Sequence, residues 1–441
     1  MSKLDSRGFR IGFATFVLFT GIAGDFWRDA LTWYGYGVMV ALGVAGSIVL
    51  LRRHSTAVHW KNLPYPLLAF FAFCLVSITW SDYPLYTTLG SFVQLITAAA
   101  GISIAITLSW GELLIALGWA LRFILGFSFV FEFIVSVFIR HPIFPVWVVP
   151  DDPEHPAALL YWSRNLLFDG AKIQGIVGNS SLLAMAALLA LITFSIQFAS
   201  RSVNRFWGGF WILVSLLTIA ITRSATIFAG LVVVIAVTAI VLLVRRATTP
   251  RGRALIYGVL VIVLAAFVVA GTVFRTPLLG LLGKTSTLTG RVGIWEAVIR
   301  YAHERPAFGW GWLGYWIPWI EPFKSLDVVR GGVQVLHAHD AWLDVWLQVG
   351  IVGLVIFIIW TFSTLVRSWL VARDRIITEP NTLGTYSWVS LLPLLMFSAQ
   401  LIQSIAESRM LLEGGLMLLV IWSVKTKLHP VAEDPPRGPQ R

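Results

Sequence analysis

The sequence predicts an all-α, polytopic membrane fold of about twelve transmembrane helices, and three observations predict it. Of 441 residues, 57% are hydrophobic and only 12% are charged, against roughly 25% charged in soluble chains. The apolar residues gather in long unbroken runs rather than alternating, which excludes the strands of a membrane barrel. Lys and Arg fall preferentially in every second connection between those runs, the signature of helices threaded through a bilayer.

The runs are 9–25, 31–51, 63–80, 85–108, 111–139, 176–199, 206–222, 224–244, 254–276, 340–366, 385–405 and 409–424. Each approaches the ~30 Å of hydrocarbon at ~1.5 Å per helical residue. One set of turns holds Lys3, Arg7, Arg10, Arg52, Arg53, Lys61, Arg201, Arg205, Arg245, Arg246, Arg251, Arg253, Arg367, Arg373, Arg375, Lys425 and Lys427. The short turns of the other set hold only Arg28, Arg223 and Arg409. Both termini are therefore expected in the cytoplasm of a bacterial inner membrane. The organisation expected is one membrane domain, 1–428, with outer loops at 140–175 and 277–339, the second a small lid. A Pro-rich disordered tail, 429–441, follows.

Several function classes drop out. The net charge of +11 is topological, so no nucleic-acid partner is implied. The single cysteine, Cys74, lies in an apolar run and reads as a small buried hydrophobe; zinc–cysteine sites and internal disulfides are excluded. No small-residue cleavage site follows the first apolar run, which reads as a retained helix. The 14% aromatic content, with 21 Trp, fits interfacial belts and sugar-stacking surfaces equally.

Arginine in a short outer turn goes against the charge rule. Arg223, in Ile221-Thr222-Arg223-Ser224-Ala225, and Arg409, in Ala406-Glu407-Ser408-Arg409, either snorkel to headgroups or present a guanidinium fork to an anionic substrate. For Arg409, a simple pairing with Glu407 is the plainer alternative. Thr289-Gly290-Arg291 precedes Val292, Trp295, Ile299 and Ala302 at helical spacing. Thr289 would cap that helix, and Arg291 would sit in its first turn, where a bound anion would relieve the unfavourable dipole. Trp310, Trp312, Tyr315, Trp316 and Trp319 follow, read either as an interfacial helix or as a surface for sugars or isoprenes.

The densest constellation is His337-Ala338-His339-Asp340, entering the tenth run. Asp340 is placed to cap the helix. A metal read through His-x-His lacks a shared helix face and an evident third ligand. The other reading makes one His a general base, since an ordinary pKa of ~6.5 suits removing a hydroxyl proton near neutrality. Arg122 and Glu132, inside the fifth run, either pair with other helices or line a cavity.

These residues together resemble the O-antigen ligase and polysaccharide polymerase superfamily. The resemblance rests on Thr222-Arg223-Ser224, Thr289-Gly290-Arg291 with Trp295, His337–Gly353, and Gly178-Asn179 before the sixth helix. The run Gln348-Val349-Gly350-Ile351-Val352-Gly353 is closest to the exopolysaccharide production branch. Two departures stand out: His339 is followed by Asp340 where the family has Asn, and Thr222 replaces its usual Ser.

The resemblance implies a GT-C-like, metal-independent and inverting glycosyltransferase without a cofactor, working on the outer face. Its donor would be a glycan on undecaprenyl diphosphate, its acceptor a polysaccharide or lipid hydroxyl, and its surroundings membrane lipids. His339 would take the acceptor's proton, and Arg223, Arg291 and, less centrally, Arg409 would hold the diphosphate. Asp340, His337 and Asn179 would support them. A polymerase joining lipid-linked repeat units shares these motifs with a ligase. A flippase of lipid-linked sugars is the reading from another class; internal repeats and broken helices, its usual marks, are not seen in the sequence.

Overall fold

A computed structural model describes residues 6–53, 60–150, 152–170, 172–247, 249–259, 262, 291–326, 328–330, 332–375 and 384–432. The chain is mostly helical: α1 (Arg7–Ile22), α2 (Gly24–Arg53), α3 (Tyr65–Val76), α4 (Pro84–Thr107), α5 (Trp110–Ile134), α6 (Ser180–Ala199), α7 (Arg205–Thr222), α8 (Ala225–Arg246), α9 (Arg291–Glu304), α10 (Ala341–Arg373), α11 (Leu392–Ser404) and α12 (Glu413–Leu428). The only strands among the described residues are β1 (Val329–Arg330) and β2 (Val333–Gln334), paired antiparallel.

Seven helices among the described residues are long and apolar enough to cross a membrane: α2, α4, α5, α6, α7, α8 and α10. The expected count of about twelve is thus only partly met. α1 and α12 have 16 residues each, α3 has 12 and α11 has 13, short of the ~20 residues a perpendicular span needs. Most of the run 254–276, the cap Thr289 and most of the tail 429–441 lie outside the described residues; of that tail, His429 bonds Trp110 and Lys425 and Ala432 is buried, so its first residues are ordered against the bundle.

Burial follows membrane logic. α6 packs at the centre, with Leu183–Ala190 all buried. Phe206, Phe210, Leu213, Val232, Ile235 and Leu243 on α7 and α8 stay exposed; an outward apolar face of this kind suits hydrocarbon.

The helices have two distinct ends. At one, Arg10 pairs with Glu112 at 3.1 Å, Arg245 donates to the Ala372 carbonyl at 2.8 Å, and Lys427 donates to that of Leu63 at 2.7 Å. These three cations lie at one end of the bundle, where Arg245 closes the C-terminus of α10 and Lys425 that of α4 by donating to the Ala105 and Leu108 carbonyls. The opposite end carries the loops and the polar clusters described next.

α10 is broken. Val349 (φ −126°) and Gly350 (φ 67°) leave the helical region. The segment 306–311 fills the gap with backbone bonds from Trp310 to the Leu347 carbonyl (3.1 Å), Gly311 to that of Gln348 (2.8 Å), and Ile351 to that of Pro306 (2.8 Å). A Cβ on Gly350 would sit 2.2 Å from the Ala307 carbonyl oxygen, so only glycine lets the two backbones approach. Backbone freed by the break is satisfied by protein, as hydrocarbon requires.

The aromatic run at 310–319 is not the helix that one reading expected. Gly311 (φ 114°) and Gly314 (φ 83°) exclude helical backbone. Trp312 and Trp316 turn inward and are nearly fully buried, while Trp319 stays exposed and bonds Tyr86 at 3.2 Å.

Candidate functional site

The site is built where α9, the mouth of α10 and the α11–α12 connection meet. Asp340 caps α10, accepting from the amides of Trp342 and Leu343 at 2.9 Å each. One residue earlier, His339 adopts a left-handed backbone (φ 51°), unusual for a residue with a Cβ and held only where surroundings dictate it. Asp344, one turn into α10 and fully buried, supplies that constraint. Its carboxylate accepts from Ala338 N (3.0 Å), Trp316 Nε1 (2.8 Å) and Ser408 Oγ. Trp295 of α9 closes the loop by donating to the Ala338 carbonyl at 3.1 Å. One buried acid thus ties the histidine loop, the aromatic segment and the 404–409 connection together.

Within that frame Glu407 stands between a guanidinium and an imidazole. Its Oε1 accepts from Arg291 Nη2 at 2.9 Å, and its Oε2 lies 2.8 Å from His339 Nδ1. His337 packs against His339 with ring centroids 4.1 Å apart, and its Nδ1 accepts the His339 backbone N–H at 3.1 Å. Burial alone would raise the Glu407 pKa. The His339 hydrogen bond and the charges of His339, His337 and Arg291 outweigh it and pull the value down to about 2. Burial, reinforced by His339 beside it, pushes His337 down to about 3. Burial raises Asp340, partly countered by its two amide donors.

The third metal ligand, not evident in the sequence, is present in space. His337, His339 and Glu407 each offer a ligand atom within 4.8 Å of one another, a spacing that accommodates an ion. Both Glu407 oxygens are already engaged, however, and an ion would have to displace Arg291 or His339 from them.

A second cluster lies at the same end. Asp25 bridges Arg28 and Arg409, the latter at 3.3 Å. Glu413 bridges the same two arginines, at 2.5 Å from Arg28 and 2.9 Å from Arg409. The two cations and two anions alternate in a ring, with Tyr315 accepting from Arg409 at 3.1 Å. Arg409 does not pair with Glu407, as the plainer sequence reading had it. A shallow cleft opens beside this ring. α6 (Leu182, Met185, Leu189) and α12 (Gly414, Leu418) contribute to its lining, with Arg409 at its rim.

The structure therefore gathers His337, His339, Asp340 and Arg291 into one cluster and places Arg409 in the neighbouring ring. Arg223 ends α7 with a left-handed backbone (φ 48°) and is exposed, with no hydrogen bond or ion pair among the described residues. It lies at the same end of the bundle, because Gly230, about one and a half turns into α8, approaches Leu188 of α6 and Ile402 near the end of α11. Asn179 caps α6 through Ser181 N (2.8 Å) and Leu182 N (3.3 Å), which occupies its side chain structurally. Arg122 bonds Gln197 at 2.7 Å. Glu132 accepts from Gln174 N, Gly175 N and Ser163 Oγ at 2.7–2.9 Å, fastening the 140–175 loop.

Sequence reasoning missed Glu407 and Asp344 as site residues. Asp344 carried a legible signal, an acid one turn inside an apolar helix. Glu407 carried only its nearness to Arg409, which pointed to the wrong partner.

Comparison with known proteins bears on this arrangement. Residues 210–358 match the O-antigen ligase family, a range that holds Arg223, Arg291, His337, His339 and Asp340. The exopolysaccharide production protein ExoQ of Rhizobium meliloti (strain 1021) is 31% identical over 81 residues, which is 18% of this chain and 19% of that protein. Both findings support the O-antigen ligase and polysaccharide polymerase superfamily, an enzyme class of the membrane.

Proposed function

We propose, taking the similarity of residues 210–358 to the O-antigen ligase family as the premise, that this chain transfers a glycan from undecaprenyl diphosphate to an acceptor hydroxyl. The reaction runs at the outer face of the bacterial inner membrane, with both termini in the cytoplasm. The observation that carries this reading is the meeting of an imidazole and a guanidinium, His339 and Arg291, on one carboxylate at the mouth of a membrane helix.

The acceptor oxygen attacks the anomeric carbon while the carbon–oxygen bond to the diphosphate breaks. His339 takes the hydroxyl proton, and undecaprenyl diphosphate leaves with the bonding pair. In-line displacement inverts the anomeric centre. Arg291 and the exposed Arg223 meet the negative charge that grows on the leaving group. Arg291 is held by Glu407 at 2.9 Å before the donor arrives. Arg409, balanced by Asp25 and Glu413, braces the α1–α2 turn against the start of α12. No metal takes part in these steps.

Ligation leads as the reading. The match to an exopolysaccharide production protein favours polymerisation as the second: the acceptor would then be another lipid-linked chain. Transport is disfavoured because the break in α10 is filled by the chain's own backbone rather than lining an empty path.

The test is transfer in vesicles containing the purified full chain and a lipid-linked glycan donor. Alternative acceptors are supplied on the outer face: a second lipid-linked chain, or a lipid anchor. A ladder of products identifies a polymerase, a single transfer identifies a ligase. His339→Ala is expected to lower the rate by roughly 10²-fold or more with donor binding retained. Near-full activity in that variant sinks the mechanism.

A further inference from the structure

Glu407 accounts for more of the site than charge balance. An ionised carboxylate can only accept hydrogen bonds. Its Oε2 lies 2.8 Å from His339 Nδ1, so the shared proton belongs to the imidazole. That puts the His339 proton on Nδ1 and the lone pair on Nε2. The neighbouring ring has the opposite arrangement: His337 Nδ1 accepts the His339 backbone N–H at 3.1 Å, which leaves its own proton on Nε2. Two imidazoles in contact are thus held in opposite tautomers, each by a named partner. The other Glu407 oxygen is anchored at 2.9 Å by Arg291, so the carboxylate cannot rotate away from His339 without giving up an ion pair that is mostly shielded from water. The low pKa of Glu407 agrees with a carboxylate that stays ionised through the working pH range.

We propose that Glu407 is a positioning residue for His339: anchored by Arg291 through one oxygen, it accepts the Nδ1 hydrogen through the other and fixes the tautomer that keeps Nε2 basic. This deepens the reading in which His339 removes the acceptor proton, and it rests on that reading. As Nε2 takes the proton, the imidazole becomes a cation, and the carboxylate against Nδ1 stabilises that charge as it forms. Arg291 then has a linked task. Once donor diphosphate draws on the same guanidinium, less of the Glu407 charge is neutralised by Arg291 and more acts on His339, so the base is strengthened when the donor is in place.

The experiment uses the full chain in vesicles, with initial rates measured against donor and acceptor concentration for Glu407→Gln, Glu407→Asp, His339→Ala and the double variant His339→Ala/Glu407→Gln. The expected result is a kcat lowered about tenfold or more in Glu407→Gln with the donor KM within about twofold of wild type, the pattern of an interaction made chiefly in the transition state. The double variant is expected to be no slower than His339→Ala alone, since residues acting as one unit do not add. Should Glu407→Gln fail to fold, Glu407→Asp decides, because its carboxylate is withdrawn by one methylene: a lowered kcat with KM held supports the proposal, and unchanged kinetics overturn it. Wild-type kcat in Glu407→Gln beside an inactive His339→Ala overturns the proposal and leaves the base assignment standing. A raised donor KM with kcat intact also overturns it, assigning Glu407 to Arg291 alone. An active His339→Ala removes the base reading itself.

Discussion

Asp344 offers the sharpest structural test. Replacing it with Ala strands Ala338 N–H and Trp316 Nε1–H, both fixed by the surrounding fold; Ser408 Oγ can rotate to another acceptor. An unsatisfied buried donor costs ~1–3 kcal/mol, so two fixed donors put the loss at roughly 2–6 kcal/mol. Removing a buried charge offsets part of that. Asp344→Asn keeps one acceptor oxygen but turns an amide N–H toward a donor, so its loss should be about half as large, ~1–3 kcal/mol. The assay is the thermal midpoint of each purified variant, with limited proteolysis reporting the 337–340 loop. The expected order is wild type above Asn above Ala, with cleavage near His337 rising in the same order. A midpoint for Asp344→Ala within a degree of wild type, with an equally protected loop, would refute the claim that Asp344 holds the histidine loop.

Acid should destabilise the fold in two windows. His337 is held neutral down to about 3, while in an unfolded chain it takes up a proton below about 6.5, so stability falls between those values as pH drops. The Glu407 contribution is full above about 4.5 and is lost as pH falls toward about 2. His337→Gln should therefore flatten the thermal midpoint against pH between 4.5 and 6.5, and an unchanged slope there would contradict the assignment. Transfer should survive excess EDTA; activity restored only by a divalent ion would instead favour metal held by His337, His339 and Glu407. Arg223→Ala and Arg291→Ala should raise the donor KM, with Lys a poor substitute for the fork, whereas Arg409→Ala should lower the thermal midpoint and leave donor KM alone; reversed outcomes would exchange their roles. In a Cys74→Ser background, R251C should resist an impermeant maleimide applied outside and R305C should react, and labelling of position 251 from outside would invert the topology.

Local chemistry was legible in the sequence, and distant pairing was not. Asp340 read as a helix cap because capping depends on neighbours two or three residues away, and it caps; Asn179 stood out only through the family resemblance, and its capping role emerged from the structure. The apolar runs located the helices because hydrocarbon demands continuity. Glu407 meets His339 across 68 residues and Arg291 across 116, and nothing in one sequence encodes which acid crosses that distance. The same holds for Asp25 and Glu413, separated by most of the chain yet sharing two arginines. The aromatic run misled because spacing alone cannot tell a helix from a strap; its glycines were the better guide. Val349-Gly350 sat inside an apolar run, where the hydrophobic pattern masks a break.

That break has a mechanical consequence. At ~1.5 Å per residue an unbroken α10 of 33 residues would run ~50 Å, well beyond the ~30 Å of hydrocarbon. A single rod of that length would carry any tilt imposed by a thinner or thicker bilayer straight to its tip. The wedge of 306–311 instead divides it into two levers with a fixed joint. The half bearing Asp344 takes its direction from its bonds to segment 306–311, separately from the half running from Ile351 to Arg373. The histidines and Glu407 are thus aligned by the Asp344 contacts and by the bonds to 306–311 rather than by one continuous rod.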